Sequence, residues 1–203
     1  LIWWVVWGRS LGGPLYNWQQ FVIIAPMVLQ NHIILIGPMA AGKTSVAKLL
    51  ADLLDIPYID IDILISTNTN RAIAEIFVEQ GEAEFRALEA AALKASLAQN
   101  PSIIATGAGI VTATVNQNII SKQALIFYLQ ASVKNQILRV NKDNKIRPML
   151  LDCKSQQKRI KDLFLRRKKL YSNLAKIIIS TDNFTAIQVA DLIVKYLDEK
   201  ISL

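Results

Sequence analysis

The nine residues GPMAAGKTS, Gly37 to Ser45, constrain this chain more than any other stretch. They lie between the apolar run HIILI and a stretch in which Val46, Leu49, Leu50, Leu53 and Leu54 recur at i, i+3, i+4, i+7 and i+8. An uninterrupted apolar run predicts a strand covered on both faces, and the second pattern predicts an amphipathic helix. Gly37 through Thr44 fits G-x-x-x-x-G-K-[ST] in the strand–loop–helix setting that the motif requires. Such a loop turns its backbone N–H groups inward as an anion nest, and the helix N-terminus adds partial positive charge. Gly42 lets the backbone approach phosphates, Lys43 supplies a point charge at the β and γ oxygens, and the Thr44 hydroxyl suits Mg²⁺. Gly37, Ala40, Ala41, Gly42, Lys43, Thr44 and Ser45 are therefore expected to hold a nucleoside triphosphate.

The rest of the body repeats the alternation. Strands are predicted at YID, SIIAT, ALIFYLQ and KIIIST. Helical patterns follow at RAIAEIFVEQ, EAEFRALEAAALKASLAQ and SVKNQILRV, then from about Ser155 to Leu174, and finally at TAIQVADLIVKYL. Strands alternating with helices predict the α/β class: three layers, with a parallel sheet of about five strands flanked by helices. At 203 residues the chain is long enough for one such domain with a full core.

The first 26 residues do not share this pattern. They hold all four tryptophans and only one charged residue, Arg9, and Met27 follows directly. The expectation is a single domain over 27–203, with 1–26 a misassigned start or dispensable extension. The rival reading is a weak membrane-surface anchor. No run reaches the ~18 apolar residues of a membrane span, so no membrane partner is expected. One cysteine, Cys153, and one histidine, His32, leave no nitrogen/sulfur metal cluster to build and suit a reducing, cytoplasmic setting. The net charge of +7 favours anionic partners. The basic run from Lys154 to Lys169 has no aromatic interleaving, so a solvated helix face is expected there rather than nucleic-acid binding.

Three further features face the acceptor side. Asp60 and Asp62 stand two apart at a strand end, so both side chains would point the same way if the chain stays extended. One could support Mg²⁺ and the other take a proton from an attacking hydroxyl; equally, Asp62 could cap a helix. Arg86 and Glu89 lie three apart on one helical face, where an arginine fork held by a glutamate could grip a carboxylate. The bland alternative is a charge ladder, since Glu82 precedes Arg86 by four. Gly107-Ala108-Gly109 offers either backbone N–H groups to a ligand or only a tight turn.

Taken together, GPMAAGKTSVAKLLADLL, YIDID, IFVEQGEAEFRALE, ATGAG, IRPML and ISTD resemble the shikimate kinases in order and spacing, from about Ile33 onward. The resemblance implies phosphoryl transfer from ATP to the 3-hydroxyl of shikimate by a monomer. It implies Lys43 and Thr44 on the phosphates and Mg²⁺, Asp60 supporting the metal, and Asp62 as base and hydroxyl partner. Arg86 and Arg167 would bind the substrate carboxylate, with the Gly107–Gly109 triplet lining its pocket. Arg147 would fold over the ATP phosphates from a lid at about 141–153. Two positions depart from the family pattern: Ala108 replaces the middle glycine of a triplet, and Lys169 replaces a proline, which leaves Arg166 as an alternative to Arg167. A same-fold kinase for a sugar acid or nucleoside monophosphate, or an inactive nucleotide-binding homologue, are the other readings.

Overall fold

The computed structural model describes residues 31–143, 148–150 and 155–201. Five strands form one parallel sheet: β1 (Ile33–Ile36), β2 (Tyr58–Asp60), β3 (Ile103–Ala105), β4 (Leu125–Gln130) and β5 (Ile177–Ser180). Their order is β2-β3-β1-β4-β5. The α/β expectation holds, including the strand count.

Alternation along β1 explains its apolar run. Ile33 and Leu35 face one side of the sheet and Ile34 and Ile36 the other, and all four are buried. The first side is covered by α1 (Lys43–Leu54), through Val46, Ala47 and Leu50, and by α8 (Ala186–Ile201), through Val189, Ile193 and Leu197. The second side packs under α2 (Ile61–Thr69), α4 (Gly81–Leu97), α5 (Thr114–Ile120) and α7 (Gln156–Leu174). Burying each such Ile or Leu side chain is worth about 1.5–3 kcal/mol against leaving it in water, so a polar residue in β1 would weaken the layer that its side chain faces. α3 (Ile73–Glu79) and α6 (Val133–Lys142) complete the set of helices among the described residues.

The order of the strands also positions the site. β1 and β4 are neighbours, and the connection after β1 runs toward β2 while that after β4 runs toward β5, in opposite directions. At such a switch point a crevice opens beyond the carboxyl ends of the strands. Met39 to Gly42, in the loop after β1, line that crevice.

Two local expectations change. β2 ends at Asp60 and α2 begins at Ile61, so Asp62 sits in the first helical turn rather than on an extended chain. Asp60, not Asp62, is the cap: its Oδ1 accepts from the backbone N–H groups of Asp62 (3.0 Å) and Ile63 (3.3 Å). The segment Ile110–Ile120, unassigned from sequence, forms a 3₁₀ turn (Ile110–Thr112) followed by α5. Arg147 and Cys153, the extension 1–26 and most of the expected lid lie outside the described residues.

Candidate active site

One cavity of about 570 Å³ lies over the carboxyl edge of the sheet. Its nucleotide end is the phosphate loop. Gly42, at φ 92°, is the N-cap of α1 and reaches a backbone conformation that a β-carbon disfavours. Ala40, at φ 56°, holds a similar left-handed turn despite its methyl, a local cost of about 1 kcal/mol or more stored in the loop. Side chains cap α2, α6 and α7, through Asp60, Ser132 and Ser155, whereas α1, like α4 and α5, has no side-chain cap. Its first N–H groups are thus left for an anion, and the helix dipole favours one there.

Lys43 is 9% exposed, and its Nζ donates to the carbonyls of Gly37 (2.9 Å) and Pro38 (2.8 Å), which keeps the ammonium inside the loop. Thr44 Oγ1 donates to Asp60 Oδ2 at 2.6 Å. With its proton committed to Asp60, the hydroxyl keeps lone pairs for a cation. An all-oxygen pair of this kind fits a hard divalent ion such as Mg²⁺, which retains most of its waters. Asp60 therefore closes α2 with one oxygen and orders the candidate metal ligand with the other.

The acceptor end is built on α2, α4, α7 and the loop after β3. Arg86 donates through Nη1 to Glu89 Oε2 (2.7 Å) and through Nη2 to Glu82 Oε1 (2.9 Å). Both sequence readings of this helix are present at once: the braced fork and the charge ladder. Burial lowers the Arg86 pKa, but the two glutamates outweigh it and the net direction is up. Burial likewise pushes the Glu89 carboxyl up to about 7, against the pull of Arg86, with Asp62 adding to the rise. Proximity of the two acids is visible at Gly107. A β-carbon there would stand 2.5 Å from Glu89 Oε1 and 2.8 Å from Asp62 Oδ1. At Gly109 the constraint is again space, because an added β-carbon would run into the Arg86 guanidinium.

Ala108 fits without strain, since it is not among the residues with positive φ. Its carbonyl accepts from the hydroxyl of Tyr171 (2.5 Å) and from Arg167 Nη1 (3.5 Å). Arg167 is 6% exposed and lines the cavity, whereas Arg166 is exposed, so the helix register decides between the two arginines. Burial lowers the Arg167 pKa, Tyr171 opposes that, and Arg86 adds to the lowering.

The cavity thus gathers the sequence candidates Ala40 to Ser45, Asp60, Asp62, Arg86, Gly107 to Gly109 and Arg167. Gly37 borders it through the Lys43 contact. Sequence reasoning missed Arg139, which also lines it. From the last turn of α6, Arg139 donates to the Ala40 carbonyl (3.1 Å), to Thr181 Oγ1 (3.0 Å) and to the Thr181 carbonyl. It ties the phosphate loop to the loop after β5, where Asp182 accepts from the Ser132 backbone N–H at 2.9 Å. Nothing in its local pattern marks it. Ile63, Ile73 and Phe77 form an apolar wall that was also missed.

Comparisons with known proteins agree with this geometry. The family model described as "Shikimate kinase" matches residues 39–198. The shikimate kinase of Vibrio cholerae serotype O1 is 36% identical over 176 residues, covering 86% of this chain and 99% of the relative. That of Halorhodospira halophila is 36% identical over 167 residues, covering 82% and 93%. Among solved structures, the shikimate kinase from Acinetobacter baumannii in complex with shikimate superposes with a TM-score of 0.79 at 31% identity, over 84% of this chain and 94% of that one. The enzyme from Bacteroides thetaiotaomicron gives 0.75 at 27% identity, over 85% and 99%. With the family model spanning most of the chain and relatives above 30% identity nearly end to end, this chain belongs to the shikimate kinase family.

Proposed function

We propose that this chain transfers the γ-phosphoryl group of ATP to the 3-hydroxyl of shikimate, a step toward aromatic amino acids, giving ADP and the 3-phosphate. One observation carries the reading: a single cavity joins a phosphate loop to a carboxylate grip made by Arg86 and Arg167, with Asp62 beside Gly107 at the acceptor end. Shikimate is a carboxylic acid with three ring hydroxyls, and the acceptor end offers two guanidinium groups, an acidic side chain and an apolar wall.

The work asked of the residues is positioning and charge neutralisation, because phosphoryl transfer needs little covalent help. The N–H groups of the phosphate loop, including those of Ala40 and Ala41, and the uncapped start of α1 bind the phosphates. Lys43 stabilises negative charge on the transferring group, and Arg147, matched through the IRPML motif, would add a second cation. Thr44, with Asp60 behind it, would hold Mg²⁺, which would supply charge neutralisation on the phosphate oxygens. Arg86 and Arg167 hold the carboxylate, so that the 3-hydroxyl reaches Asp62. Asp62 takes the hydroxyl proton as the oxygen–phosphorus bond forms and the bond to ADP breaks. A cytoplasmic monomer goes with this reading.

ADP release measured with shikimate, gluconate and nucleoside monophosphates in parallel tests the proposal. Turnover is expected with shikimate alone; turnover with another acceptor, or none with any, overturns it.

The glycine pair gives a sharper expectation. Gly109→Ala is expected to weaken shikimate binding about tenfold or more, since relieving the clash with Arg86 costs on the order of 1–3 kcal/mol. Ala108→Gly restores the family triplet and is expected to change it less than about twofold, because the carbonyl that Arg167 and Tyr171 use remains. Calorimetric titration of both variants reads the contrast.

A further inference from the structure

Arg86 has two acidic partners of opposite character. The Glu89 side chain is 0% exposed and fixed in the protein interior, whereas that of Glu82 is 50% exposed on the first turn of α4. Glu82 holds Nη2, and Nε of Arg86 is buried without a hydrogen-bond partner. Nε and Nη2 share one edge of the guanidinium plane, the edge that takes a carboxylate side-on through two parallel hydrogen bonds. With Nη1 committed to Glu89, an incoming acid that takes this edge meets Glu82 at the same nitrogen, Nη2.

We propose that Glu82 competes with the acceptor's carboxylate for Arg86 and hands over Nη2 when the acid binds, an inference that rests on the proposed function above. The exchange is chemically even: one carboxylate replaces another, and the incoming one also satisfies Nε. Release is favoured because Glu82 is the half-exposed partner of the pair, so water takes its carboxylate, and the start of a helix still favours an acid there. Glu89 keeps Nη1 throughout and holds the guanidinium in plane. Glu82 thereby screens acceptors, since a neutral ligand cannot match the carboxylate it must displace.

Titration calorimetry with shikimate on the wild type, Glu82→Gln and Glu84→Gln tests this. Glu84 is an exposed acid of the same helical turn and controls for long-range charge. Glu82→Gln keeps the length but loses the competing charge and its repulsion of the ligand, so it is expected to bind shikimate about three- to tenfold tighter. Glu84→Gln is expected to stay within about twofold of the wild type. Unchanged or weaker binding in Glu82→Gln would make Glu82 a support for Arg86 and overturn the inference, as would equal tightening in Glu84→Gln. A wild type that binds shikimate while Glu82→Gln gains nothing overturns this inference alone; a wild type that binds none overturns the function as well.

Discussion

Lys43→Ala is expected to lower kcat by roughly 10²–10³-fold, about 3–4 kcal/mol of transition-state stabilisation, the scale of losing one preorganised donor to developing charge. The side chain is directed by its own loop. Its ammonium bonds the carbonyls of Gly37 and Pro38, so it is already inside the nest where phosphate oxygens would lie. The electrostatic contribution is large because the group is largely removed from water and needs no reorganisation at the moment of transfer. The fold is expected to survive, because the loop is shaped by Gly42 and by the Arg139 hydrogen bond to Ala40 as well as by Lys43. Loss of the two charge-assisted carbonyl contacts costs on the order of 1.5–3 kcal/mol each, offset by no longer burying an ammonium. Steady-state kinetics paired with thermal melting separates the two effects. A melting point near the wild type with kcat cut a hundredfold supports the role; near-normal kcat removes Lys43 from the chemistry.

Legibility in the sequence followed how local each determinant is. The phosphate loop was readable because strand, turn and helix each carry their own pattern within about 20 residues. The layered fold was readable from period alone, since β1 shows the continuous apolar run of a strand buried on both faces. The start of α2 was not. In YIDIDILI the β-branched residues continue across the boundary, and what ends the strand is a side-chain bond from Asp60 to two backbone N–H groups, a matter of geometry rather than composition. Apart from Ala113 and Gln117 the stretch TATVNQNII has weak helix formers, and it becomes α5 because Ile120 is buried with Ile110 and Val111 in the second core layer. Arg139 was invisible for the opposite reason. Its partners lie 99 and 42 positions away, so only the folded chain joins them. Arg167 needed the register of α7, which turns it inward and its neighbour Arg166 outward.

Asp62→Asn is expected to lower kcat by about 10²–10⁴-fold while changing KM for shikimate much less, the signature of a lost proton acceptor rather than a lost binding contact. The substitution is informative because the two neighbouring acids divide their work. Asp60 carries the structural load, capping α2 through Oδ1 and ordering Thr44 through Oδ2. Asp62 makes its backbone bond to that cap, which asparagine retains, so Asp62→Asn leaves the helix start and the metal-side pair in place. Its side chain sits beside Glu89 across the Gly107 backbone, and neutralising it removes one of the influences that raise the Glu89 pKa. Glu89 is then expected to ionise more readily and to grip Arg86 more firmly, which holds the carboxylate end of the acceptor while the hydroxyl end loses its base. Rate and affinity should therefore separate. Single-turnover kinetics at saturating ATP, with shikimate titrated, reads them independently. A fall in kcat of less than tenfold would assign the hydroxyl proton to the phosphate oxygens instead, leaving Asp62 to orient the alcohol.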